Sequence, residues 1–75
     1  MSKKHAFRFR IHSLRHHGEV GRHATIEDVV KFAKLYDLRL DTYTIEDKDE
    51  ETEVDLEELM DAWNRGERPL DLSMF

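Results

Sequence analysis

"RLDTYTIEDKDEETEVDLEELMDAW" (Arg39–Trp63) changes its hydrophobic period partway along, and where it changes decides the fold. From Arg39 to Glu46 β-branched and aromatic residues alternate over a short distance, which predicts a strand. From Asp55 onward, Leu56, Leu59, Met60 and Trp63 recur at helical spacing and predict one apolar face of a helix. Asp55 and Glu58 read as its capping pair, and Gly66 stands where a C-terminal cap is wanted. Between strand and helix, residues 46–54 read as an acidic loop.

The same period test applied outward gives the remaining elements. "TIED" places Thr25 as N-cap with an acid three residues on, and Ile26, Val29, Val30, Ala33 and Tyr36 follow as the core face of a first helix ending near Asp37 or Leu38. Leu35 falls on the opposite side and Phe32 at the flank, so the second helix or the tail is expected to cover Leu35. Trp63 is expected to be substantially buried against the sheet. Before the first helix, Phe7, Phe9 and Ile11 alternate with Arg8, Arg10 and His12, which predicts a strand from His5 to Leu14 with an apolar inner and a basic outer face. "RHHGEVGRHA" (15–24) is polar, contains two glycines and reads as a loop. In the tail "ERPLDLSMF" (67–75) Pro69 stops the helix, and Leu70, Leu72 and Met74 suggest a short third strand or an apolar clasp. The expectation is one α+β domain over residues 1–75, in the order β-α-β-α, with both helices on one face of the sheet.

Seventy-five residues leave no room for a second core or for the deep, many-looped cleft of most enzymes. The chain has no Cys, so packing alone must hold it and no thiolate zinc site can form; this suits a cytoplasmic location. No apolar run approaches the roughly 18 residues of a membrane helix, and no secretory signal opens the chain. The first 18 residues lack acids, as transit peptides do, but their period-two alternation favours a strand.

Charge is distributed unevenly. Residues 1–25 hold six bases against Glu19 alone, while residues 26–75 hold six bases against sixteen acids. Within that half, residues 46–61 concentrate ten acids against Lys48. As a calcium loop, Asp47, Asp49, Glu51, Glu53, Asp55 and Glu58 fall at the liganding positions of an EF-hand, but Thr52 stands where the turn needs Gly and a strand pattern precedes it. As a solvated loop, the run explains the acids near the helix start, which the helix dipole favours. It leaves unexplained the six acids among residues 46–53 and the like-charge pair Glu57/Asp61 one helical turn apart. The third reading is a binding surface: Glu46, Asp47, Asp49, Glu50, Glu51, Glu53, Glu57, Glu58 and Asp61 imitate a phosphate backbone and engage a basic site on a partner protein as an inhibitor or modulator. Small phage and mobile-element inhibitors have that character, by analogy only.

Two alternatives use the N-terminal half. Lys3, Lys4, Arg8, Arg10, Arg15 and Arg22 would form a phosphate-contacting stripe for nucleic acid, opposed by the net charge of −5, with Phe7 and Phe9 reading as core rather than stacking residues. His16, His17 and His23 could converge on zinc or nickel, although their spacing matches no structural zinc pattern; on a strand His12 and His16 stand about 13 Å apart, too far to share a metal. No catalytic residue is expected, because Ser2, Ser13 and Ser73 lack an elbow glycine and the carboxylates crowd the most solvated segment. The expected protein is a non-enzymatic monomer or weak dimer without cofactor.

Overall fold

The computed structural model describes residues 6–16, 18–70 and 72–75. Its elements are β1 (Phe9–Ser13), β2 (Gly18–His23), α1 (Ile26–Leu35), β3 (Tyr43–Asp47), β4 (Thr52–Asp55), α2 (Leu56–Asn64) and a 3₁₀ turn, η1 (Leu72–Met74). The strands form one antiparallel sheet in the order β2-β1-β3-β4. The fold is α+β, as the periods predict, with two more strands than they show.

Register decides which side chains become core. Phe9 stands opposite Asp47, Ile11 opposite Ile45, and Ile45 opposite Val54, so these share one face. Ile26, Val29, Val30 and Ala33 of α1 and Leu56, Leu59 and Met60 of α2 pack on that face with Leu72. Both helices therefore cover one side of the sheet, and Arg10, His12, Thr44, Glu46, Glu53 and Asp55 are left on the other.

α1 starts as its sequence demands: Thr25 Oγ1 accepts from the Asp28 amide at 3.1 Å. It stops because Asp37 turns left-handed (φ 51), letting the amides of Asp37 and Leu38 reach back to Lys34 and Ala33. The chain leaves the helix face there, so Tyr36, expected in the core, is exposed. Leu35 is 76% exposed; neither α2 nor the tail covers it. At the end of α2, Gly66 (φ 91) makes the equivalent turn, with its own amide and that of Glu67 bonding Trp63 and Ala62. Trp63 is only half-buried, because the tail passes over it: the Arg68 guanidinium stacks on its ring, 3.9 Å from the centroid.

Five segments depart from the sequence reading. The glycine-containing "loop" is β2: Gly21 and His23 stand opposite Ile11 and Phe9 on the helix side, and a Cβ on Gly21 would lie 3.4 Å from the Phe32 ring and 3.1 Å from His23 Nε2, so glycine lets the layers approach. The register slips between Ile11 and His12, leaving Val20 as the extra, exposed residue of a bulge. The acidic "loop" contains the end of β3, a turn and β4. Among its described residues the tail forms no strand; Leu72 donates its amide to the Asp47 carboxylate (3.4 Å) rather than to a neighbouring strand, and Leu70 is exposed. Finally, the first two predicted strands begin too early: β1 starts at Phe9, with Phe7 exposed ahead of it, and β3 at Tyr43; His5 lies outside the described residues.

Candidate functional site

The acidic run divides between a buried carboxylate and an exposed surface, and Asp47 is the buried member. It sits at the end of β3 with no solvent exposure. Its two oxygens accept from Arg8 Nε (3.0 Å) and Nη2 (2.7 Å), a bidentate pair. Oδ1 also accepts from the amides of Asp49 (3.0 Å) and Glu50 (3.2 Å), which shapes the β3–β4 turn. An acid expected to touch a partner instead holds the fold together and is out of a partner's reach.

The other acids are displayed because of their register. Glu53 pairs across from Glu46 and Asp55 from Thr44, so both project from the open sheet face. Glu50 and Glu51 stand exposed on the turn, with Glu51 in a left-handed conformation (φ 53). Glu57, Glu58 and Asp61 are exposed on α2, opposite its buried Leu56, Leu59, Met60 and Ala62. α2 begins at the residue after β4 ends, so the carboxylates wrap around the β4 edge from the open sheet face to the helix. Asp55 belongs to this surface although sequence reasoning assigned it to helix capping. It occupies the N-cap position, but its side chain makes no cap hydrogen bond, since the strand directs it to the open face.

Glu46 and Asp49 are partly engaged. Glu46 lies 2.9 Å from His12 Nε2 and 3.5 Å from Lys48 Nζ, while an Asp49 oxygen lies 3.4 Å from Arg8 Nε. Two like charges directly opposite, Glu46 and Glu53, would repel. His12 beside the first and the Thr44 hydroxyl donating to the second at 2.8 Å relieve that. These groups border a shallow open groove of about 700 Å³ on the uncovered sheet face.

Among the described residues of the basic stripe, three of four are paired with acids of the same chain. Arg8 is bonded to Asp47, and Arg10 and Arg22 flank Glu19 on the open face, Arg10 at 3.6 Å. The Arg22 guanidinium hydrogen bonded to Glu19 holds that carboxyl below its usual range, against the opposing effect of burial. Arg15 is exposed in the β1–β2 turn, and Lys3 and Lys4 lie outside the described residues. Of the stripe foreseen for nucleic acid, Arg8 is thus engaged with Asp47, and Arg10 and Arg22 with Glu19.

The described histidines do not converge. His12 is on the open face and His16 on the exposed turn, while His23 faces the helices with its ring 4.8 Å from that of Phe32; His17 lies outside the described residues. Nε2 of His23 is buried without a hydrogen-bond partner, and burial lowers its pKa, with Asp28 acting weakly the other way. Among the described residues no group of three His, Asp or Glu side chains is placed to hold a metal ion. The EF-hand spacing falls on a β-hairpin and the start of α2: Asp47 lies on the helix side of the sheet and Glu53 and Asp55 on the open face, so the six side chains do not surround one point. No helix among the described residues is long and apolar enough to cross a membrane. No known protein family, characterised protein or solved structure matches the chain.

Proposed function

We propose that this chain is a non-enzymatic binding protein that works in the cytoplasm and offers the acidic surface around β4 and α2 to a basic site on another protein, inhibiting or modulating it. One observation carries the proposal. Among the described residues, Glu50, Glu51, Asp55, Glu57, Glu58 and Asp61 take part in no ion pair, whereas Arg8, Arg10 and Arg22 are each paired with an acid. Internal pairing therefore cancels much of the positive end of the chain and leaves the negative end as its external field. Carboxylates on a hairpin and a helix are held at fixed spacing, so the field is presented without an ordering cost at binding.

Such a surface acts first on association rate. Charge complementarity raises the encounter rate, and screening over about 10 Å at 0.1 M salt removes the gain. The nucleic-acid reading has less support, since Arg10 and Arg22 already face Glu19.

The test is to separate binding from folding. Glu50→Gln, Glu51→Gln and Glu53→Gln form one variant, and Glu57→Gln, Glu58→Gln and Asp61→Asn another. Both should keep the parent circular dichroism spectrum and stability within about 1 kcal/mol, the limit set by the lost helix-dipole contribution in the second set. Against the partner recovered from host lysate, each should lose at least about tenfold in affinity, chiefly through the on-rate. Unchanged affinity in both would reduce the surface to a solubilising role.

A further inference from the structure

Resting on that reading, we infer that the outer edge of β4 (Thr52–Asp55) is a strand-addition site for an extended basic segment of the partner, one with Lys or Arg at alternate positions. Among the described residues β4 ends the sheet, with β3 its sole neighbour. Alternate residues of a terminal strand turn their N–H and C=O groups outward, where an incoming chain can pair with them. Among the described residues no backbone hydrogen bond of Thr52–Asp55 to any segment other than β3 and α2 is present. η1 also touches β4, but from the helix side, where Leu72 enters the core.

Register specifies the occupant. Glu53 and Asp55 project from the open face, and Thr52 and Val54 point toward the helices. A strand added to β4 sets its side chains about 5 Å from these, one directly opposite each. The positions facing Glu53 and Asp55 call for Lys or Arg. The intervening positions, beside the half-buried Val54, call for a β-branched residue. Glu50 and Glu51 before the strand and Glu57 and Glu58 after it extend the same charge past both ends. The opposite edge, β2, is broken by the bulge at Val20, holds two glycines and carries Arg22 and His23, so a basic strand has little to pair with there.

The probe is a synthetic peptide of about seven residues alternating Lys with Thr or Val. Its control has the same sequence and charge but is N-methylated at alternate residues. Each is titrated into the isotope-labelled full chain at about 0.05 M salt, where surface charges act at longest range. The unmodified peptide should slow hydrogen exchange of outward amides in β4 by about tenfold, and the methylated one should bind about tenfold more weakly. Glu53→Gln with Asp55→Asn should weaken the unmodified peptide about tenfold while preserving the spectrum of the folded chain. Equal binding of the two peptides, or protection that falls on β2, overturns strand addition and leaves the acidic-surface reading standing. Binding by neither peptide overturns both.

Discussion

Replacing Asp47 by Asn, at the same volume, tests whether the fold hangs on this carboxylate. Five donors converge on it: Arg8 Nε and Nη2, the amides of Asp49 and Glu50, and the Leu72 amide. In the best arrangement the Asn oxygen replaces Oδ1 and keeps Arg8 Nε, Asp49 and Glu50. The Asn nitrogen then replaces Oδ2 and faces Arg8 Nη2 and the Leu72 amide, both donors. A hydrogen bond to a charged group contributes about 1.5 to 3 kcal/mol, and breaking a buried pair costs about 3 to 5 kcal/mol. The Arg8 side chain keeps 25% exposure, so water takes up part of its loss and the lower end applies. The expected cost is about 3 kcal/mol.

For a chain of this length, total stability is about 4 to 11 kcal/mol. With a urea slope near 1 kcal/mol/M, Asp47→Asn should lower the unfolding midpoint by about 3 M, followed by Trp63 fluorescence and far-ultraviolet circular dichroism together. Arg8→Met alone and combined with Asp47→Asn completes a cycle in which the stacking of Arg8 on Phe9 and its pairing with Asp49 cancel. Coupling should be about 1.5 kcal/mol or more. A loss below about 1 kcal/mol on Asp47→Asn, or no coupling to Arg8, would refute this account of what closes the hairpin on the tail.

Two further predictions concern the caps and pH. Asp37→Gly should stabilise the protein by about 0.5 to 1 kcal/mol and Gly66→Ala destabilise it by about 1 kcal/mol, read from thermal unfolding, because both positions are left-handed. If Gly66→Ala is neutral, the Schellman turn at the end of α2 is not what ends that helix. His23 has a folded pKa below its unfolded value, so above about pH 6.5 it contributes no penalty. As pH falls through about 6.5 toward the lowered folded value, the unfolded chain takes up the proton first and stability drops. His23→Phe should flatten stability against pH in that window; an unchanged slope would mean the ring is not buried against Phe32.

What could be read from the sequence depended on whether a segment spoke through its apolar residues. Both helices and the inner faces of β1 and β3 did, since Phe9, Ile11, Ile45 and, from the helix stripes, Ile26, Val29, Val30, Ala33, Leu56, Leu59 and Met60 bury where their periods place them. β2 and β4 are edge strands, and their positions were fixed by partners the local pattern does not name. Gly21 lies under Phe32 because a smaller residue lets the layers close, and β4 contributes a single aliphatic residue, Val54, among carboxylates. The alternation Thr52, Val54 was the available signal, masked by charge. The same masking hid the two kinds of acid in the run. Nothing local distinguishes Asp47 from Asp49; what differs is that Asp47 stands opposite Phe9 with Arg8 beside it, a fact of register. In the tail, alternation of Leu70, Leu72 and Met74 imitated a strand, but Leu72 alone of Leu70 and Leu72 is buried, and its amide goes to a side chain.

The carboxylates around β4 have a competing explanation in sheet physics, because charged side chains on a short terminal strand also prevent edge-to-edge aggregation. The two explanations ask for different residues. Guarding the edge requires charge on the strand itself, which Glu53 and Asp55 supply. It does not require Glu57, Glu58 and Asp61, which lie on α2, where no backbone edge is open, and where the absence of any base in the last turn leaves the charge unbalanced. The first-turn acids gain from the helix dipole, but Asp61, one turn beyond Glu57, gains nothing from it and repels its neighbour. A guard would therefore be sensitive to the strand acids and indifferent to the helical ones, while a binding surface feels both. That is why the helical variant, and not the hairpin variant, separates a protected edge from a surface that is used.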